Sequence, residues 1–153
     1  MVKLVNRDIT TVSTGVIAHQ VNCQGVMGAG IAKALRDRYQ ILYPLYKQLC
    51  ISREDYDLLG LMQLIQVTDT LYISNVFGQL TYGKDASVIY TNYEALKVSL
   101  NKLFESASDK KLDVYIPYKI GCGLANGDWN VVLNIINELD ALYDVNIYIC
   151  RKI

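Results

Sequence analysis

The chain of 153 residues contains a single histidine, one tryptophan and two prolines, and it has no excess of either charge. Fifteen basic residues balance fifteen acidic ones. A broad nucleic-acid surface normally requires a basic excess, so this balance disfavours a nucleic acid as partner. With one histidine and no clustered cysteines, the sequence also has no zinc-binding pattern. We therefore expect no metal and no cofactor.

Long hydrophobic runs are also absent, since no apolar run approaches the ~18 residues that span a membrane. No signal-peptide pattern precedes the first predicted strand. The four cysteines, at positions 23, 50, 122 and 150, form no C-x-x-C pair. We therefore expect reduced thiols in a cytoplasmic protein that does not bind membranes. Nothing in the sequence indicates an oligomeric state.

The length fits one domain over residues 1–153, with room for a sizeable core. Apolar and β-branched segments predict strands at 2–6, 15–22, 58–67, 71–77, 112–117 and 145–150. Apolar residues at helical spacing predict helices at 28–39, 41–50, 92–106 and 128–143. This alternation predicts an α/β fold in which a mixed central sheet lies between layers of helices.

The most informative segment is a strand that runs into a glycine-rich loop and then a helix. The strand ends at Asn22, and Gly25, Gly28 and Gly30 follow. Glycine lets backbone N–H groups approach a ligand, and a helix N-terminus adds partial positive charge. This arrangement suits a diphosphate, with Asn22 able to bind a sugar hydroxyl. His19 places an ionisable group on the same strand.

The spacing of these glycines, G-x-x-G-x-G, is not the dinucleotide fingerprint G-x-G-x-x-G. A tight turn whose glycines serve helix–strand packing is the alternative. A second loop after Pro117 also contains three glycines, at positions 121, 123 and 127. Because ligands of such sheets bind outside the carboxyl ends of strands, the two loops could hold a diphosphate between them.

Three separated segments resemble the macrodomains, which bind ADP-ribose. Residues 22–34 resemble the family's substrate loop, and residues 117–124 resemble its second phosphate loop. Residues 7–10 resemble the G-D-I-T segment, with Arg7 where glycine is usual. The segments occur in the family's order, and the resemblance spans essentially the whole chain. The resemblance implies a three-layer α/β/α macrodomain-like fold that takes ADP-ribose or a derivative as its ligand or substrate.

The resemblance also implies roles for individual residues. The Asp8 carboxylate would accept a hydrogen bond from the adenine amine, the Ile9 amide would donate to a ring nitrogen, and Asn22 would orient the distal ribose. The two loops would hold the diphosphate through Gly25, Gly28, Gly30, Ile31, Gly121, Cys122, Gly123 and Leu124. Which aromatic side chain stacks on the base stays open among Phe77, Tyr118 and Tyr148.

Some macrodomains remove the 1''-phosphate of ADP-ribose 1''-phosphate and are proposed to use a histidine and an aspartate. In one branch the histidine comes just before the asparagine loop, as His19 does here, and Asp128 matches the aspartate. The resemblance therefore implies His19 and Asp128 as the acid/base pair of such a phosphatase. Taken alone, Asp128 also fits a helix N-cap, and His19 also fits a buried packing residue.

Other activities stay open. The branch that cleaves glutamate-linked ADP-ribose has an aspartate where this chain has Ala125, and a lysine where it has Gln79. Lys84 could replace that lysine only if its loop folds back. Lys119 could offset diphosphate charge or simply be solvated. Hydrolysis of ADP-ribose esters, on proteins or as O-acetyl-ADP-ribose, and ADP-ribose reading without turnover are the alternatives.

Overall fold

The computed structural model describes residues 1–153 as one six-stranded sheet with helices on both faces. The strands are β1 (Val2–Asn6), β2 (Gly15–Asn22), β3 (Met62–Gln66), β4 (Leu71–Gln79), β5 (Val114–Pro117) and β6 (Ile147–Arg151). The helices are α1 (Gly30–Arg38), α2 (Leu42–Ser52), α3 (Asp55–Leu58), α4 (Tyr93–Lys110) and α5 (Trp129–Asp140). A short 3-10 helix covers Ile9–Thr11. None of the helices is long and apolar enough to cross a membrane.

The strands lie in the order β1-β6-β5-β2-β4-β3. All neighbouring pairs are parallel except β3 and β4, which form an antiparallel hairpin at the edge. The sheet is therefore mixed, as predicted. Its topology brings the carboxyl ends of β1, β6, β5, β2 and β4 to one edge, where ligands of such sheets bind.

Alternating side chains of the strands form two cores, one on each face of the sheet. On β2, Val16 and Ala18 pack in the core beneath α4 and α5, whereas Ile17 and Val21 pack in the core beneath α1 and α2. Both faces are thereby covered, which explains why β2 is buried along almost its whole length. The resulting α/β/α layers agree with the predicted fold class.

Several predicted element boundaries differ from the observed ones, and two strand boundaries are the most consequential. Residues 58–67 do not form one strand, because Leu58 ends α3 and is fully buried, and β3 begins only at Met62. Gly60, with φ of +88°, makes the turn between them. The strand predicted at 71–77 is also longer than expected, since β4 continues to Gln79. That extension carries Gln79 to the edge where the glycine loops lie.

Candidate functional site

A cavity of about 760 Å³ opens at the carboxyl ends of the central strands. This volume lies in the range of small-molecule sites. Its walls come from the end of β2, the loop and first turn of α1, the loop after β4, and the loop after β5. Of the residues predicted for the site, the cavity is lined by His19, Asn22, Gly28, Gly30, Ile31, Gly121, Cys122, Gly123 and Leu124.

The charged residues that line the cavity are both basic. Lys84 and Lys119 line it, and no aspartate or glutamate does. Two ammonium groups without a carboxylate in the lining create a field that favours an anion. Burial raises the pKa of the Cys122 thiol, so this cysteine contributes a neutral group. The electrostatics therefore fit a phosphate-bearing ligand.

The first glycine loop is held in shape by Asn22. The Asn22 side-chain oxygen accepts hydrogen bonds from the Gln24 and Val26 amides at 3.0 and 3.3 Å, and its amide donates to the Val26 carbonyl at 2.8 Å. Tyr46, fully buried in α2, donates its hydroxyl hydrogen towards the Asn22 carbonyl or side-chain oxygen. Asn22 thus organises the loop from beneath while it lines the cavity.

Gly25 has a different place from the other glycines of this loop. Its φ of +76° supports the turn, and a Cβ there would lie 2.9 Å from the Lys47 side chain of α2. Tyr43 donates a hydrogen bond to the Gly25 carbonyl. Gly25 does not line the cavity. It makes a tight turn and allows the loop to pack on α2, as in the alternative interpretation of these glycines.

The second glycine loop is fastened to the loop after β4. The Thr91 hydroxyl donates to the Gly121 carbonyl at 2.6 Å, and the Ala125 carbonyl accepts from the Tyr90 and Thr91 amides. Asn126 adds bonds to the Asp85 and Val88 carbonyls. These hydrogen bonds between the two loops hold the loop after β4 folded back, so that Tyr82, Gly83 and Lys84 line the cavity. The condition under which Lys84 could serve the site is thus met.

Gln20 links the same loops from below, and sequence reasoning missed it. Its amide donates to Gln79 at 2.8 Å and to the Thr91 hydroxyl at 2.9 Å. Its own oxygen is buried without a partner next to the cavity it lines. The only available signal was its position, two residues before Asn22 in an otherwise apolar strand.

His19 lines the cavity but is almost entirely buried. Its Nε2 lies 2.6 Å from the Asn75 side-chain oxygen, and its Nδ1 has no partner. Burial lowers the pKa of His19 to about 4, although the hydrogen bond to Asn75 opposes this shift. At neutral pH the ring is therefore uncharged, with a hydrogen on one nitrogen and a lone pair on the other.

Asp128 does not join His19 in the cavity lining. It is the N-cap of α5, where its carboxylate accepts from the Asn130 amide at 2.9 Å. Its own amide donates to the Tyr93 hydroxyl. The geometry is that of a cap that satisfies an otherwise unpaired amide of the first turn. Besides burial, Asp128 also raises the pKa of Cys122, which lines the cavity, so it lies near the cavity, and its acid/base role stays a prediction.

The predicted adenine residues lie beyond β1 at the same sheet edge, outside the cavity lining. Asp8 accepts from the Thr10 amide and hydroxyl and lies 3.3 Å from the Lys152 ammonium. The hydrogen bonds from Thr10, with a smaller contribution from Lys152, hold the pKa of Asp8 below its ordinary value. Ile9 is buried in the core beneath α1 and α2.

Among the three aromatic side chains considered for stacking, only Tyr118 lines the cavity. Phe77 is fully buried and packs against Tyr46. Tyr148 stacks on Tyr115 with ring centroids 5.1 Å apart. Tyr118 packs edge-on against Trp129 while it lines the cavity.

Solved structures of known proteins share this architecture. A protein of unknown function from Bacteroides thetaiotaomicron matches with a TM-score of 0.88 and 28% identity, over 100% of this chain and 98% of its own. A macrodomain protein from Streptomyces coelicolor matches with a TM-score of 0.81 and 24% identity, over 99% of each chain. DarTG from Thermosipho africanus, solved in complex with ADP-ribose, matches with a TM-score of 0.78 and 16% identity, over 97% of this chain and 41% of its own.

Sequence comparison gives the decisive observation, although no family model matches the chain. An ADP-ribose 1''-phosphate phosphatase from Scheffersomyces stipitis is 30% identical, over 87% of this chain and 88% of its own length. The chain belongs to the macrodomain family. A second relative of the same name, from Debaryomyces hansenii, is 26% identical over 97% of this chain and 99% of its own. The macrodomain fold explains why two glycine loops meet at one sheet edge here.

Proposed function

We propose that the cavity of this macrodomain binds ADP-ribose and that the protein hydrolyses ADP-ribose 1''-phosphate to ADP-ribose and phosphate. The observation that carries the proposal is a cavity between two glycine loops whose charged lining groups are both cationic. The names of the two fungal relatives support the choice of substrate. The complex of the Thermosipho africanus protein supports ADP-ribose as the ligand.

In this proposal the diphosphate lies between the loops, where backbone N–H groups and the Lys84 and Lys119 ammonium groups offset its charge. Tyr118 packs on an apolar part of the ligand. His19 is the catalytic residue, because it is the titratable group of the lining with an unpaired acceptor nitrogen. That nitrogen would accept the proton of the water that attacks phosphorus. Asp128, as a helix cap, is tested separately below.

Calorimetry with ADP-ribose and the Lys84→Ala and Lys119→Ala variants tests the binding half of the proposal. Loss of one ammonium near a diphosphate should weaken affinity by about tenfold, which corresponds to ~1.4 kcal/mol. Lys110→Ala, on the exposed end of α4, is the matched control because it removes the same charge far from the cavity. Equal affinities for all four proteins would contradict the placement of the diphosphate.

Hydrolysis of ADP-ribose esters is the second candidate, because the folded-back loop brings Lys84 to the cavity lining. A lysine beside the distal ribose could act on a linked carboxylate ester. Release of ADP-ribose from an esterified protein, lost in Lys84→Ala and retained in Lys110→Ala, would favour this activity. Release of phosphate from ADP-ribose 1''-phosphate that survives in Lys84→Ala would favour the phosphatase.

A further inference from the structure

A chain of side-chain hydrogen bonds crosses three strands beneath the cavity and ends on His19. His19 on β2, Asn75 on β4 and Gln63 on β3 are register partners across the sheet. The His19 Nε2 lies 2.6 Å from the Asn75 Oδ1, and the Asn75 Nδ2 lies 3.0 Å from the Gln63 Oε1. The Gln63 Nε2 donates in turn to the Leu45 carbonyl of α2 at 3.2 Å.

The Leu45 end of this series of hydrogen bonds has a fixed polarity, because a backbone carbonyl can only accept a hydrogen bond. The Gln63 amide must therefore face Leu45, which turns its oxygen towards Asn75. Asn75 must then present its amide to Gln63 and its oxygen to His19. An oxygen that cannot donate requires an N–H on the Nε2 of His19.

We infer that Gln63 and Asn75 are positioning residues that, anchored on the Leu45 carbonyl, hold His19 as its Nε2–H tautomer and leave Nδ1 as its unprotonated acceptor nitrogen. The Nδ1 atom is buried and has no partner in the protein, which is the state this tautomer predicts for a nitrogen awaiting a donor. A backbone group of α2 thereby sets the protonation site of a ring on β2.

This inference deepens the proposed function and rests on it for its chemical meaning. In the proposed hydrolysis, water forms a bond to phosphorus and transfers one proton to Nδ1, while the bond from phosphorus to the ribose oxygen breaks. The leaving oxygen takes a proton from solvent, and the ring returns its extra proton to solvent. The Nδ1–H tautomer could not accept the proton at that atom.

Nitrogen-15 NMR of the free protein at pH 7 tests the tautomer directly, because the chain contains a single histidine. The wild type should show a protonated Nε2 and an unprotonated Nδ1. Gln63→Lys should reverse this pattern, since a lysine ammonium only donates and would turn the Asn75 oxygen towards itself. Asn75 would then present its amide to the Nε2, and the ring would carry its hydrogen on Nδ1.

Gln66→Lys is the matched control, because Gln66 lies on the same strand and donates to the Asp69 carbonyl without any link to His19. It should keep the wild-type pattern. Gln63→Lys should also lower kcat for ADP-ribose 1''-phosphate by about 100-fold with little change in KM. A protonated Nδ1 in the wild type, or an unprotonated Nδ1 in Gln63→Lys, would overturn the inference. Absence of phosphate release by the wild type would instead refute the proposed function, whereas the spectra decide the tautomer independently.

Discussion

His19 and Asn22 lie on the same strand, and their side chains differ in how their hydrogen-bonding capacity is used. Asn22 exchanges bonds with its own loop and with Tyr46, so its side chain shapes the site. His19 has one nitrogen paired with Asn75 and the other unpaired. An unpaired buried polar atom costs about 1–3 kcal/mol, and the acceptor role proposed for this nitrogen would give it a partner.

The buried, neutral His19 should make stability depend on pH. Its pKa is about 4 in the folded protein and ordinarily 6.5, so between these values the unfolded chain binds one more proton. The free energy of unfolding should therefore fall by about 3 kcal/mol as the pH falls from 6.5 to 4. The His19→Gln variant should lack this part of the dependence. Urea unfolding of both proteins across this range measures the difference, and parallel curves would contradict the burial of a neutral ring.

At the scale of elements, the start of α5 separates two interpretations of Asp128. If Asp128 only caps the helix, Asp128→Ala should lower the free energy of unfolding by about 1 kcal/mol. Asp128→Ser should keep the cap and the stability, because serine is also a good N-cap residue. Thermal unfolding checks both expectations.

The same two variants decide whether Asp128 is catalytic. With a capping role alone, Asp128→Ser should release phosphate from ADP-ribose 1''-phosphate with the kcat of the wild type. A loss of about 100-fold in kcat for Asp128→Ser, in a protein of unchanged stability, would restore the acid/base pair implied by the family resemblance.

The hydrogen bonds between the two loops are the second feature whose role can be measured. Thr91→Val keeps the shape of the side chain but removes the acceptor of Gln20 and the donor to Gly121. We expect the second glycine loop to lose its fixed position and ADP-ribose to bind about tenfold more weakly. Thr81→Val is the control, because the exposed Thr81 side chain bonds to neither loop. Identical calorimetric affinities for both variants would show that the hydrogen bonds between the loops do not support the site.

At the scale of the whole molecule, local patterns were enough to predict the layered α/β fold, because β2 starts with an apolar run and α4 and α5 have clear helical spacing. The glycine loops were predicted for the same reason, since their signal lies within a few consecutive residues. Leu58 was misassigned because a short apolar segment has no period that separates a strand from a helical turn.

What the sequence could not provide were partners far apart along the chain. The Nε2 of His19 meets Asn75, 56 residues away, and the backbone of the loop carrying Lys84 is fixed by Asn126. Burial of His19, and the exclusion of Asp128 from the cavity lining, follow from such contacts. The catalytic pair implied by the resemblance depends on such distant contacts and therefore stays a prediction.

Phosphate release from ADP-ribose 1''-phosphate, measured with the wild type beside His19→Gln, tests the central claim most directly. Calorimetric binding of ADP-ribose by both proteins establishes that both cavities are formed. We predict release by the wild type and a loss of at least about 100-fold in kcat for His19→Gln. Binding without release by the wild type, or equal release by the two proteins, would contradict the account.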